Sequence, residues 1–152
     1  MQQRILLAVA AIAGLATALP AAAQFQKPEE AVKYRKAGMT MMGAHFGRIG
    51  AMAQGRAPFD GTAAAANAEV LTHLSLLPFA GFVEGTSGTE KGTPTTAVWT
   101  ERAKFDAAAK KMQEEVAKLA VAAKANNLET LKAAFTNAAG ACKACHDDFR
   151  NK

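Results

Sequence analysis

The sequence predicts an all-α fold, an antiparallel four-helix bundle, and three observations lead to it. Alanine dominates and runs of β-branched residues are absent, which favours helix over strand. Proline residues and glycine-rich stretches separate the apolar segments. In the last two segments apolar residues alternate in spacings of 3 and 4 residues, as in helices that pack with nearly aligned axes. A chain of 152 residues suits one such domain.

The first 23 residues are predicted to stand apart from this domain. Arg4 precedes an apolar run from Ile5 to Leu19, and Pro20 leads into three alanines. A basic start, an apolar middle and an A-x-A end are typical of a secretory signal peptide. A membrane-spanning helix needs about 20 strongly apolar residues, and this run has 15 residues, six of which are alanine. We expect cleavage after Ala23, no membrane insertion, and a mature domain of residues 24–152 in the periplasm.

The first helix is predicted to begin near Pro28, a residue that suits a first turn, and to end near Gly55. Glu29 and Glu30 would complement the positive end of its dipole. The residues expected on its inward face are Val32, Met39, Met42, Phe46 and Ile49.

The second helix is predicted from Thr62 to Leu77, where Pro78 closes it. The residues expected on its inward face are Val70, Leu74 and Leu77. The stretch GTSGTEKGTPTT that follows is rich in glycine and threonine, which predicts an exposed loop.

The third helix is predicted to open after Trp99 with Thr100 as its N-cap. Its expected inward residues are Phe105, Ala109, Met112, Val116, Leu119 and Ala123. The fourth is predicted to begin at Asn126 or Asn127. Its expected inward residues are Leu128, Leu131, Phe135, Ala138, Cys142, Cys145 and Phe149.

The charge pattern argues against nucleic-acid binding. Without Arg4, the mature sequence has 17 Lys and Arg residues and 13 Asp and Glu residues, a net charge of +4. The basic residues are dispersed, without the concentrated patch that nucleic acids require. We interpret them as solvated helix faces that could steer acidic redox partners.

Both cysteines lie in the C-terminal motif CKACH. Cys142 and Cys145 share the inward face of the fourth helix, and His146 follows Cys142 by one turn. Gly140 and the alanines around it leave room for a large group. The spacing C-x-x-C-H is the attachment signature of c-type haem, in which each thiol adds to one vinyl group and the imidazole binds the iron. An exported protein is the setting in which this attachment occurs.

Three other interpretations of the motif are weaker. A thioredoxin-like redox pair needs a βαβ setting and usually a helix N-terminus. A structural zinc site needs a fourth ligand, and His45 and His73 lie on other helices without zinc-like spacing. A disulfide between residues of one helix turn would close almost no loop.

The mature sequence resembles the cytochrome c′ family throughout. The resemblance lies in QFQKPEEAVKYRKAGM, HFGR, APFD, LSLLPFAGF, AVWTERAKF and CKACHDDFR. It implies a four-helix bundle, often a homodimer, with one covalent haem c held by a single protein nitrogen. It also implies an apolar face opposite that nitrogen, which admits NO and CO.

The resemblance also assigns residues around the haem. It implies Cys142 and Cys145 as attachment sites and His146 as the axial iron ligand. Arg35 matches an arginine that approaches a haem propionate, and Lys36 follows it where many relatives have glutamine. The remaining matched positions are Arg150, beside the proximal histidine, and the pocket aromatics Phe79, Phe82 and Trp99. For these aromatics, ordinary core packing is the alternative.

Met39 leaves two functions open. It falls where high-spin relatives place a bulky apolar side chain over the open iron face, which predicts a binding protein for NO and CO. In low-spin relatives a methionine there binds iron as the sixth ligand, which predicts an electron carrier. Met39 as a flexible filler of the core is the third interpretation. No catalytic constellation is present in the sequence, so we do not expect an enzyme.

Overall fold

The computed structural model describes residues 24–152, so the predicted signal peptide lies outside the described residues. The helices are α1 (Pro28–Ala53), α2 (Gly61–Leu74), α3 (Ala97–Thr100), α4 (Arg102–Lys124) and α5 (Leu128–Phe149). A 3-10 turn (Pro78–Gly81) follows α2. The four long helices correspond to the four that the sequence predicts, and the all-α class is confirmed.

The four long helices pack around one apolar core. α4 lies against α2 and α5, and α1 lies against α2 and α5. The fully buried side chains at the centre come from all four helices and include Ile49, Leu71, Leu119 and Leu131. Short connections join α1 to α2 and α4 to α5, so each of these pairs is antiparallel. The predicted bundle is confirmed.

Local signals in the sequence define the starts of α1 and α5. Pro28 opens α1 and Glu29 and Glu30 occupy its first turn, where they complement the exposed backbone N–H groups. Asn127 caps α5, because its side-chain oxygen accepts a hydrogen bond from the backbone N–H of Thr130 at 3.0 Å. Both starts were predicted.

The prediction for the second helix was wrong in its end and in its inward face. α2 ends at Leu74, three residues early. Val70 and Leu77 are 40% and 42% exposed, and only Leu74 of the predicted set is buried. The buried face of α2 consists of Ala64, Ala68, Leu71 and Leu74. Two of these buried residues are alanines. A prediction that selected only the large apolar side chains therefore identified the wrong face.

The start of the third helix also differs. Trp99 lies within the short helix α3 and α4 begins at Arg102. The residue before α4 is Glu101, whose side chain makes no capping hydrogen bond. Thr100 therefore does not cap this helix, and its hydroxyl donates to the carbonyl of Thr96 at 3.4 Å.

No helix within residues 24–152 combines the length and the apolar character that crossing a membrane requires.

Two glycines of α1 offer a matched test of the packing between α1 and α5. A Cβ at Gly50 would lie 2.7 Å from Cζ of Phe135, whereas a Cβ at Gly47 would meet nothing within 4 Å. Phe135 cannot easily withdraw, because its ring stacks on Phe46 at 4.5 Å between centroids. We expect Gly50→Ala to lower the free energy of unfolding by about 1–3 kcal/mol, and Gly47→Ala to raise it by about 0.5–1 kcal/mol. Urea unfolding of both variants measures this, and equal free energies of unfolding for the two variants would contradict the close contact between Gly50 and Phe135.

Candidate functional site

A cavity of about 590 Å³ lies inside the bundle, between α1, α4 and α5. Its walls are mainly apolar and come from all four long helices. The apolar lining consists of Met39, Met42, Phe46, Leu71, Phe79, Phe82, Phe105, Ala109, Met112, Val116 and Phe149. Exposed residues that also line it, including Lys36, Thr40 and Gly92, mark where it opens to solvent. The bundle thus encloses a large apolar space that its own side chains leave unfilled.

Both thiols and the imidazole of the C-terminal motif line this cavity from α5. Cys142 and Cys145 are half-buried and unpaired. Burial raises the pKa of both thiols, so they are protonated near neutral pH and unlike the thiolates of redox-active pairs. Burial, with help from the positive charge of Arg150, lowers the pKa of His146, and its neutral form predominates at pH 7.

The small residues of α5 are not the source of the space. Neither Gly140 nor the alanines beside it line the cavity, and Gly140 is exposed. The residues that line the cavity lie mainly on α1, on α4 and on the turn that carries the cysteines. The interpretation that Gly140 and its alanine neighbours provide the room was therefore wrong.

The rim of the cavity is positively charged. Arg35, Lys36 and Arg150 line it, and within residues 24–152 no acidic side chain does. None of the three forms an ion pair with a carboxylate of the described chain. A planar apolar group with carboxylates at one edge would match both the walls and the rim.

Arg35 is the buried member of this rim, with 5% of its surface exposed. One guanidinium nitrogen donates to the carbonyl of Gly81 at 3.1 Å and to the hydroxyl of Thr86 at 2.5 Å. The other donates to the carbonyl of Thr86 at 2.6 Å. Its charge also lies over the ring of Phe82, 5.1 Å from the centroid. Burial lowers the pKa of Arg35, and an anion at the rim would compensate that cost.

Four phenylalanines pack together in the cavity wall. Phe105 contacts Phe79, Phe82 and Phe149, with ring centroids 5.8, 4.9 and 5.3 Å apart. All four line the cavity. Trp99 does not, although the sequence placed it with the pocket aromatics. It packs behind this group, and its indole N–H donates to the carbonyl of Phe82 at 3.3 Å.

Met39 is half-buried and reaches the cavity from α1. His45 and His73 do not line it. The ring of His45 bonds the side chain of Asn67 at 2.9 Å, and His73 is exposed. Within residues 24–152, no cluster of three or more His, Cys, Asp or Glu side chains forms a metal site. Apart from Trp99, every residue that the sequence assigned to the haem site lines this one cavity.

The Gly/Thr-rich loop was predicted only as an exposed loop, but it contributes to the site. Gly92, Thr93 and Pro94 line the cavity, and Thr86 and Pro94 are buried. Arg150 is not part of the last helix. It follows the helix end in an extended conformation, φ −122 and ψ 132, and pairs with Pro94 across an antiparallel bridge. These pairings join residues far apart in sequence, and no local pattern signals them.

The residues present fit a haem. The apolar walls suit the porphyrin, the unpaired cations suit its two propionates, and two thiols one turn apart precede an imidazole. A four-helix bundle with this site defines a class, the bundle-type c-type haem proteins.

Comparison with known proteins identifies the family. The family model described as Cytochrome C′ matches residues 30–150. Cytochrome c′ from Alcaligenes xylosoxydans xylosoxydans is 44% identical over 129 residues, which cover 85% of this chain and 99% of that protein. The crystal structure of cytochrome c′ from Rubrivivax gelatinosus is similar with a TM-score of 0.78 at 44% identity, covering 84% of this chain and 100% of that chain. This chain belongs to the cytochrome c′ family, whose cofactor is covalently bound haem c.

A related solved structure contains a ligand. It is a nitric oxide complex of a variant of cytochrome c prime from Alcaligenes xylosoxidans, similar to this chain with a TM-score of 0.78 at 44% identity. The similarity covers 84% of this chain and 98% of that chain.

The contacts of Arg35 predict a large effect on stability. Arg35→Met removes three hydrogen bonds and leaves the carbonyls of Gly81 and Thr86 without this donor. We expect the free energy of unfolding to fall by about 2–4 kcal/mol. Lys33→Met, which alters an exposed cation on the same helix, should change it by less than about 0.5 kcal/mol. Guanidinium unfolding of both holoproteins measures the difference, and similar small losses would contradict the assigned contacts.

Proposed function

We propose that this chain is a periplasmic, high-spin cytochrome c′ that binds NO and CO and takes part in electron transfer, without enzymatic activity. In this proposal residues 1–23 are a signal peptide that is removed, and residues 24–152 are the mature haem domain. One observation carries the proposal: two thiols and an imidazole on one turn of α5 face an apolar cavity with a cationic rim.

The proposed roles at the proximal side follow from protonation and position. Cys142 and Cys145 would form the two thioether bonds, and His146 would be the axial ligand. The lowered pKa of His146 favours neutral imidazole, the form that binds metals. Arg35 and Lys36 would face the propionate region as cations without a carboxylate partner, and Arg150 would lie beside the imidazole of His146.

The proposed distal side is apolar. When bound, haem supplies an iron that can take a diatomic ligand on the face opposite His146. Met39, Met42 and Phe46 would crowd this face and exclude larger molecules. Thr40, whose hydroxyl reaches the opening, already donates to the carbonyl of Lys36 at 2.9 Å. In this proposal the propionates engage Lys36, so the described lining leaves no free hydrogen-bond donor for O₂. O₂ is then poorly stabilised, whereas NO and CO need less polar assistance.

A second candidate function rests on Met39. Its thioether lines the cavity from α1, and a thioether can bind haem iron and raise its reduction potential. In this alternative Met39 is the sixth ligand of a low-spin electron carrier. Dispersed surface lysines would steer acidic redox partners.

A homodimer is the proposed assembly. Apolar side chains are exposed on α1, on α2 and just after α2, namely Met41, Val70, Leu76 and Leu77. Burial of such residues against a second copy would remove apolar surface from water.

Covalent attachment is tested by the haem content of denatured protein. We expect the wild-type chain, expressed with a c-type haem maturation system, to keep haem on a denaturing gel stained for haem. The double substitution Cys142→Ser and Cys145→Ser should lose the stain, because no thioether bonds can form. Unstained wild-type protein would contradict the proposal.

Substitution of Met39 with leucine tests whether its thioether binds the iron. We expect ferric wild-type protein to be high-spin by absorption and EPR spectroscopy, and Met39→Leu to stay high-spin. Met39→Ala should bind CO faster, by about tenfold for each ~1.4 kcal/mol of relieved crowding. Met52→Leu is the control, since Met52 is buried away from the cavity. A low-spin wild-type protein that becomes high-spin in Met39→Leu would favour the electron carrier.

A further inference from the structure

The end of the chain is fastened to the loop that lines the cavity. The backbone N–H of Thr95 donates to the carbonyl of Phe149, and that of Asn151 donates to the carbonyl of Thr93, both at 2.9 Å. The N–H of Gly92 donates to the carbonyl of Asn151, also at 2.9 Å. We call residues 92–95 with residues 149–151 the terminal clasp.

The side chain of Asn151 adds two bonds that the backbone pairing does not require. Its amide nitrogen donates to the carbonyl of Gly88 at 2.7 Å and to the hydroxyl of Thr93 at 3.0 Å. Gly88 and Thr93 already meet across a tight turn, because a Cβ at Gly88 would lie 2.7 Å from Cβ of Thr93. The carboxamide of Asn151 therefore ties both arms of this turn to the chain end.

The terminal clasp forms part of the wall beside His146. Gly92, Thr93 and Pro94 line the cavity from the loop, and Phe149 and Arg150 line it from the chain end. Asn151 does not line the cavity and is half-buried behind this wall. Its effect on anything in the cavity must therefore pass through the loop.

We propose that Asn151 is a positioning residue for the haem site. Its carboxamide holds the turn of residues 88–93 against the chain end and so limits the access of water to the His146 side of the cavity. This inference rests on the proposed function, since it assumes a haem in the cavity. Solvent access to a haem site tunes its reduction potential, so Asn151 would set the potential without touching the cofactor.

Two substitutions separate the carboxamide donor from the bulk of the side chain. Asn151→Asp keeps the size of the side chain and removes its donor, and Asn151→Ala removes both. Asn151 lies outside the helices, so neither change alters a helix. Asn137→Ala is the matched control, since Asn137 is exposed on α5.

Hydrogen–deuterium exchange of the holoproteins, followed by mass spectrometry, measures the loop directly. We expect the peptide that covers residues 85–96 to exchange roughly tenfold faster in both Asn151 variants, since opening no longer breaks these two bonds. The reduction potential should fall in both, because water stabilises the more positively charged ferric state. Neither quantity should change in Asn137→Ala.

The outcomes separate this inference from the proposed function. If the wild-type protein carried no covalent haem, that result would contradict both the proposed function and this inference. Normal haem content with unchanged exchange, or with faster exchange and an unchanged potential, would overturn the role of Asn151 alone. Faster exchange with a lower potential in both variants would support it.

Discussion

The cavity between α1, α4 and α5 is the constraint on which the rest of the structure depends. It spans about 590 Å³ and is lined mainly by apolar side chains. Apolar walls are hydrated unfavourably where they face water. The haem c of this family is a large apolar group that would cover these walls.

The polar groups around the cavity organise the loop between Phe82 and Thr96. At its start, Arg35 donates to Gly81 and Thr86, which fixes the loop to α1. At its end, the terminal clasp fixes it to the residues after α5. A segment without regular structure thereby becomes a defined wall, because its backbone groups are paired from both sides. One edge of the site thus joins the beginning and the end of the folded chain.

The helices of the bundle could be predicted because their signals are local. Pro28 and Asn127 act on the turns next to them, and the spacing of apolar residues identified the inward faces of α4 and α5. The face of α2 could not be predicted in this way. Ala64 and Ala68 are buried there while Val70 is exposed, because close packing of helices selects small side chains that a scale of hydrophobicity ranks below valine.

The sequence alone determined which chemical groups the last helix presents together, since an interval of three or four residues returns a side chain to one face. Cys142, Cys145 and His146 therefore had to share a surface in any fold that kept α5 helical. Tertiary structure alone decided what faces them. The cavity, the buried charge of Arg35 and the clasp at Asn151 all depend on contacts between segments far apart in the chain, whose energies arise only when the helices have packed.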